Sequence, residues 1–206
     1  MKLMPVTLYH CPGARSMRPL WTLEELGLEY ELVALPFPPR FLQRDYLEVN
    51  PLGTVPCLVD GDVKMTESAG ISQYLVERYG PTPLAVSKDD AEYGVYLNWL
   101  HRSDATLTFP LTLVLRYTQL EPEEKRNPQV ADDYRRWFLA RMRCVEEATA
   151  DREFLCGDRF TIADVCIAYA IHLANSLGIE EVFTPNVKRY WDAIVERPAY
   201  QRAAAL

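Results

Sequence analysis

The pattern of the chain changes at Gly80-Pro81-Thr82-Pro83, and this change constrains the fold more than any single motif. Before it, short β-branched and aromatic runs alternate with helical stretches, whereas after it only helical spacing is found. A chain of 206 residues has room for one or two domains. We therefore predict a domain over residues 1–80, a linker over residues 81–87 and a second domain over residues 88–206.

The first 80 residues predict a small mixed sheet covered by helices. Strands are predicted at 6–10, 29–35, 55–60 and 63–66, and helices at 16–27, 41–49 and 67–79. The Asp60-Gly61 pair is a strong hairpin signal between the last two strands. A parallel pair joined through a helix and followed by an antiparallel hairpin gives the order βαβ-α-ββα. This order resembles a thioredoxin-like domain.

The second half predicts an all-α helical bundle. Helices are expected at 89–118, with a bend near Pro110, and at 128–150, 161–177 and 185–197, followed by a tail at 199–206. The segment 161–177 is apolar almost all round, which is typical of a helix at the centre of a bundle. Thr161 and Asp164 have the spacing of a structural helix cap.

Composition excludes several classes of function. The net charge of −7 argues against a general affinity for nucleic acid or an anionic membrane, because binding phosphates requires excess Lys and Arg. No apolar run approaches the roughly 20 residues of a membrane span, and the first ten residues are not a secretory signal. Five cysteines without a CxxC pair, and three histidines outside zinc spacing, indicate a reducing compartment and no metal. We therefore expect a cytoplasmic protein.

Two short motifs predict a site for a peptide-like ligand. Pro56 opens the third strand, and a cis proline there would turn the main chain of Val55 outward as an edge to which a ligand strand can add. Glu67 and Ser68 open the following helix, where free N–H groups and a hydroxyl bind a carboxylate and Glu67 pairs with an amino group. The alternative is an ordinary helix start capped by Thr66 or Ser68.

The loop before the first helix predicts a place for a thiol. A thiol there would be acidified by the helix dipole, with Ser16, Arg15 and Tyr9 as possible donors to the thiolate. Cys11 is a possible nucleophile of its own. The alternatives are a helix cap for Ser16, a solvated side chain for Arg15 and a small buried hydrophobe for Cys11.

These motifs in order resemble the cytosolic glutathione transferase family over almost the whole chain. The resemblance is carried by residues 50–56, 66–68 and 160–164, and by Arg197-Pro198 near the end. Residues 9–16 resemble the first loop of the bacterial beta class, and Arg15-Ser16-Met17-Arg18 with Leu20-Trp21 resembles unclassified bacterial and fungal members. However, Arg15 stands where the beta class has its active-site cysteine, so that cysteine chemistry does not transfer.

The resemblance implies a homodimeric glutathione S-transferase that serves detoxification, with glutathione as co-substrate and no bound cofactor. The γ-glutamyl end would lie on Glu67 and Ser68, the cysteinyl backbone beside Val55 and cis Pro56, and the glycyl carboxylate at Arg40. A hydrophobic electrophile would occupy an apolar cleft against the long helix, lined by residues such as Leu107, Leu111 and Tyr117. Two other functions stay open: a thiol-disulfide reductase or peroxidase using Cys11, and a non-catalytic glutathione-binding protein.

Overall fold

The computed structural model describes residues 5–206, and packing divides this part of the chain into two compact units. The first unit comprises the residues up to Ala85 together with Glu196–Leu206, and the second comprises Val86–Val195. Among the described residues, no helix combines the length and the apolar character that crossing a membrane requires.

The first unit is built on a four-stranded sheet. Its strands are β1 (Val6–His10), β2 (Tyr30–Ala34), β3 (Cys57–Asp60) and β4 (Val63–Met65), in the order β2-β1-β3-β4. β2 runs parallel to β1, whereas β3 is antiparallel to both β1 and β4. The predicted mixed sheet in a βαβ-α-ββα order is confirmed.

The α-helices of the described residues follow in chain order. They are α1 (Met17–Leu26), α2 (Pro39–Leu42), α3 (Tyr46–Val49), α4 (Ser68–Arg78), α5 (Tyr93–Arg102), α6 (Phe109–Leu115), α7 (Pro128–Ala148), α8 (Ile162–Ser176), α9 (Pro185–Val195) and α10 (Pro198–Ala204). The single helix predicted at 41–49 is in fact α2 and α3, because the main chain leaves the helical conformation at Gln43.

The long helix predicted at 89–118 is also interrupted. Two π-helical segments, Ser103–Thr108 and Arg116–Leu120, flank α6. Pro110 lies in the first turn of α6, where it supplies no main-chain N–H to the preceding turn. π-helical turns are rare and occur mostly as short insertions within α-helices. The predicted helix is thus divided near Pro110 into π segments on either side of a short α-helix, and the bend expected there stays a prediction.

The two faces of the sheet bury different side chains. Successive residues of a strand point to opposite faces, so the paired Leu8 and Leu58 lie on one face and the paired Tyr9 and Cys57 on the other. Leu8 and Leu58 are fully buried. The other face carries a second apolar cluster, formed by Cys11, Leu35, Tyr46 and Cys57, with Tyr9, Ala14, Val33, Val49, Val55 and Val59 packed against it.

The C-terminal tail packs against α1 and belongs to the first unit. Arg197 forms a two-pronged ion pair with Glu25, with both N–O distances at 2.7 Å, and the ring of Tyr200 meets Trp21 edge-on at 5.0 Å. The sequence placed residues 196–206 with the helical domain. It could not reveal this partner, because Glu25 and Arg197 lie 172 residues apart.

The second unit is helical, with α8 at its centre. Nearly every side chain of α8 is buried, as its all-round apolar sequence predicted. Thr161 and Asp164 form a capping box at its start. Asp164 also accepts hydrogen bonds from the Leu155 N–H and the Tyr190 hydroxyl, both at 3.0 Å. Burial nevertheless raises the pKa of Asp164 to about 6.

Candidate active site

Three segments of the first unit meet at one end of the sheet. β1 ends at His10 and β3 begins at Cys57, and Tyr9 lies opposite Cys57 in the antiparallel register. The turn after β1 and the loop before β3 are therefore neighbours. The start of α4 joins them, because Arg18 of α1 donates a hydrogen bond to Ser68 Oγ at 2.9 Å. The three segments that the sequence singled out for a ligand are thus brought together.

Two side chains hold the loop before β3 by bonding to one carbonyl. The Tyr46 hydroxyl and the Asn50 amide donate to the Thr54 carbonyl oxygen at 2.7 and 2.8 Å. Both residues are buried. Val55 follows, partly buried, and lies before the first residue of the paired strand. The Val55–Pro56 peptide bond is cis, as the resemblance implied.

Gly53 brings this loop against α2. Its φ is +58°, and a Cβ at this position would lie 2.5 Å from the Cβ of Arg40. Only glycine permits that close an approach at a positive φ. Arg40 is exposed, and its guanidinium lies over the ring of Phe41 at 4.8 Å from the centroid. The cation predicted for a glycyl carboxylate therefore lies beside the loop that leads into Val55.

The start of α4 presents a carboxylate beside free helix N–H groups. Glu67 is exposed at the N-cap position and makes no side-chain capping bond, while Ser68 is buried as the first helical residue. The alternative of an ordinary cap by Thr66 or Ser68 therefore does not describe this helix. The N–H groups of a first turn have no partner within the helix, and they favour an anionic ligand.

Ser16 does not take the place expected of a donor to a thiolate. Its side chain is fully buried, and its hydroxyl accepts from the Cys11 N–H at 3.2 Å and donates to the Cys11 carbonyl at 3.3 Å. The single hydroxyl hydrogen is thus used within the turn. Ser16 does occupy the N-cap position of α1, as the alternative interpretation expected, but its side chain makes no capping hydrogen bond there. Ser16 instead closes the turn that precedes the helix.

Cys11 is a buried core thiol. It has no exposed surface, its Sγ lies 3.7 Å from the Pro36 carbonyl oxygen, and burial raises its pKa to about 11. A thiol with this pKa is protonated at neutral pH, and the thiolate is the form that attacks a disulfide. The structure therefore favours the interpretation of Cys11 as a small hydrophobe and weighs against a reductase that uses it.

Tyr9 and Arg15 occupy different surroundings near the turn. The ring of Tyr9 packs against that of Tyr46, with centroids 5.3 Å apart, within the apolar cluster on its face of the sheet. Arg15 lies in the turn before α1 and is half-buried. Because it lies in that turn, Arg15 stays the predicted source of positive charge near a bound thiol.

The residues proposed for the second substrate lie in the helical unit. Leu107, in the first π segment, and Leu111, in α6, have no exposed surface and so belong to the interior of that unit. Neither presents a surface to a ligand in this arrangement. Tyr117 is half-exposed in the second π segment, beneath the guanidinium of Arg116 at 5.6 Å. Of the three, Tyr117 alone has side-chain surface available.

Sequence reasoning assigned no role to three residues that hold the segments of this site together. Tyr46 and Asn50 hold the loop before β3, and Arg18 holds Ser68. His10 ends β1 in a buried position, and burial lowers the pKa of its imidazole. A signal existed for Arg18, because a charged residue directly precedes the apolar Pro19-Leu20-Trp21 of an otherwise buried helix start. No cluster of metal-ligating side chains occurs within residues 5–206.

Comparison with known proteins decides the family. The family model described as the glutathione S-transferase N-terminal domain matches residues 8–83, and the model for the C-terminal domain matches residues 111–198. The chain belongs to the glutathione S-transferase family. The predicted family, its two-part fold and the predicted enzyme class are thereby confirmed.

Individual relatives match over nearly their whole length. GstA of Escherichia coli O157:H7 is 31% identical, over 95% of this chain and 96% of its own. Glutathione S-transferase 3 of Zea mays is 30% identical, over 98% of this chain and 95% of its own. Among solved structures, the ternary complex of BphK, a bacterial GST, has a TM-score of 0.85 at 27% identity and covers 97% of this chain and 98% of its own.

Proposed function

We propose that this protein binds glutathione in the first unit and activates its thiol for attack on hydrophobic electrophiles. The observation that carries the proposal is the meeting of three segments at one end of the sheet: the turn before α1, the loop that leads into Val55, and the start of α4. Each segment offers the chemistry that one part of glutathione requires. In the proposed binding mode, the charged ends of the tripeptide would lie at Glu67, Ser68 and Arg40.

The γ-glutamyl end would bind at the start of α4. Its α-carboxylate would accept from the Ser68 hydroxyl and the first N–H groups of the helix, and its amino group would pair with Glu67. The cysteinyl main chain would add to the edge at Val55. Arg40, exposed beside the Gly53 loop, would receive the glycyl carboxylate.

The thiol would then lie at the turn before α1. The partial positive charge of the helix N-terminus, together with Arg15, favours the thiolate there. Ser16 supports this role indirectly, because its hydroxyl fixes the shape of the turn. With 1-chloro-2,4-dinitrobenzene, the thiolate forms the C–S bond at the chlorinated carbon, chloride leaves, and the thiol proton passes to solvent. A dinitrophenyl conjugate of glutathione is the ligand of the similarly folded Ure2p5 of Phanerochaete chrysosporium.

The test compares two serines on the same helix. Ser68→Ala and Ser72→Ala each remove one buried hydroxyl from the side of α4 that faces α1. Loss of a hydrogen bond to a charged group costs about 1.5–3 kcal/mol, which corresponds to a roughly 10- to 150-fold rise in the dissociation constant. We expect that rise for glutathione in Ser68→Ala alone, with binding by Ser72→Ala close to the wild-type protein.

The results separate the candidate functions. Conjugation of the chloroarene, with the expected difference between the two variants, supports the proposal. Equal affinity of both variants for glutathione would remove Ser68 from the site. Tight glutathione binding without turnover of any electrophile in a panel would support the non-catalytic binding protein instead.

The assembly and setting of the enzyme belong to the same proposal. Homodimerisation and a cytoplasmic role in detoxification are what the family resemblance implies. Tyr117 is the remaining candidate for a contact with the second substrate. Light scattering of the purified protein at several concentrations measures its molar mass. For a dimer, we expect twice the chain mass of 23.7 kDa.

A further inference from the structure

We propose that Arg18 is a positioning residue for glutathione, acting through Ser68 on the γ-glutamyl α-carboxylate. This inference rests on the proposed function, since it concerns the same ligand. Arg18 does not itself reach the surface, because its side chain is fully buried between α1 and α4. Its link to the site is the hydrogen bond from Nη1 to Ser68 Oγ at 2.9 Å.

The chemistry of the two groups sets the direction of the serine hydroxyl. A guanidinium has only donors, so in this bond Ser68 must act as the acceptor. A serine hydroxyl carries a single hydrogen, and that hydrogen is then directed to a different partner. Ser68 is the first residue of α4, where the helix N–H groups favour an anion. Arg18 thus presets Ser68 as a donor toward a carboxylate.

The buried charge adds to this effect. A guanidinium stays protonated in proteins, and its field is screened less in a buried position than in water. Here it lies next to the positive end of α4. Two positive features side by side favour the binding of an anion at this helix start. A carboxylate therefore gains both from the oriented hydroxyl and from the charge behind it.

The structure supplies an internal comparison one helical turn further along. Thr22 and Ser72 are hydrogen-bonded at 3.0 Å and repeat the spacing of the Arg18–Ser68 pair, four residues later on each helix. Thr22 also donates to the Arg18 carbonyl at 2.9 Å, so Ser72 is the donor within the Thr22–Ser72 pair. Both pairs join α1 to α4, but only the first adjoins the proposed ligand. If Arg18 only held the two helices together, removing either pair would have the same effect on glutathione binding.

The experiment measures how strongly each protein recognises one ligand carboxylate. Binding of glutathione is compared by calorimetry with binding of the analogue in which the γ-glutamyl α-carboxylate is replaced by hydrogen. In the wild-type protein we expect the analogue to bind about 30-fold more weakly, within the range for a charged hydrogen bond. In Arg18→Met the difference should fall to about 3-fold, and in Thr22→Val it should stay near 30-fold.

Further variants link the effect to Ser68. In Ser68→Ala, adding Arg18→Met should change the carboxylate effect by clearly less than the roughly tenfold change expected in the wild-type background, because the oriented hydroxyl is already lost and only the field of the guanidinium is left to remove. For conjugation, Arg18→Met should raise the KM for glutathione while kcat at saturation is kept within about twofold. Should Arg18→Met fail to fold, Arg18→Gln takes its place, with an expected reduction of the carboxylate effect of at least threefold.

Failure of the two proposals would look different. If the wild-type protein does not bind glutathione, the proposed function fails. In another outcome, the wild-type protein binds glutathione and yet prefers it over the analogue by the same factor as the folded Arg18 variant does. That result would overturn only the role of Arg18. An equal loss in Thr22→Val and Arg18→Met would likewise overturn it, in favour of plain helix–helix packing.

Discussion

The fully buried Asp164 predicts that stability depends on pH in an unusual direction. Its two oxygens accept from the N–H groups of Leu155 and Thr161 and from the hydroxyls of Thr161 and Tyr190. Despite these donors, burial raises its pKa from 3.8 to about 6. A carboxyl group with a raised pKa takes up a proton on folding, so it stabilises the fold at low pH, and this contribution is lost as the pH rises through 6.

The two pKa values give the size of the effect. The pKa of the Asp164 carboxyl group is 3.8 in the unfolded chain and about 6 in the folded protein. Because of this difference, Asp164 contributes less to the free energy of unfolding at pH 7 than at pH 5. The decrease is about 1.3 kcal/mol. Asp164→Asn removes the titration but places an amide opposite the Thr161 N–H, which costs about 1–3 kcal/mol at any pH. The variant should therefore be less stable, by a margin that narrows as the pH rises.

Urea denaturation followed by tryptophan fluorescence at pH 5, 6 and 7 measures this margin. The difference in unfolding free energy between wild type and Asp164→Asn should shrink by about 1 kcal/mol from pH 5 to pH 7. Taking the difference at each pH cancels the titration of the other groups. A margin that stays constant, or that widens with pH, would show that the raised pKa does not govern this carboxyl group.

Three more substitutions test the site. Ser16→Ala should lower the melting temperature and the conjugation rate together, whereas a loss of rate at unchanged stability would show direct contact with the thiolate. Gly53→Ala should raise the KM for glutathione at least threefold, because the added Cβ would lie 2.5 Å from the Cβ of Arg40. An unaltered KM would contradict this expectation. Cys11→Ala should retain conjugation within about twofold, because a thiol with a pKa of about 11 stays protonated at neutral pH. Loss of conjugation in a stably folded variant would show that Cys11 takes part in the reaction.

Much of the fold could be read from local patterns. The strand at Val6–His10 and the hairpin around Gly61 follow from β-branched runs and turn chemistry, and α8 follows from its all-round apolar sequence. What local patterns missed depends on interactions at a distance. The tail at 196–206 packs with the first unit because Arg197 finds Glu25, a partner that periodicity does not reveal.

For the candidate site, the sequence supplies residue types whose roles stay predictions, and the structure adds their orientation. Val55, Glu67 and Ser68 lie on segments that meet, as their motifs indicated. The side chain of Ser16 turned inward, because the N–H and the carbonyl of Cys11 offered it two hydrogen bonds within the turn. A sequence states that a hydroxyl is present, whereas its direction is chosen by the partners that folding brings near.

The sequence by itself determined the order of elements and the family, because these depend on composition and spacing along the chain. Only the tertiary structure decided which groups near the turn are available to a ligand. It buried Cys11 and raised its pKa, and it placed the charge of Arg18 behind Ser68, 50 residues away. The reason is physical: burial and hydrogen-bond direction arise from neighbours in space, and these neighbours are absent from any local stretch of sequence.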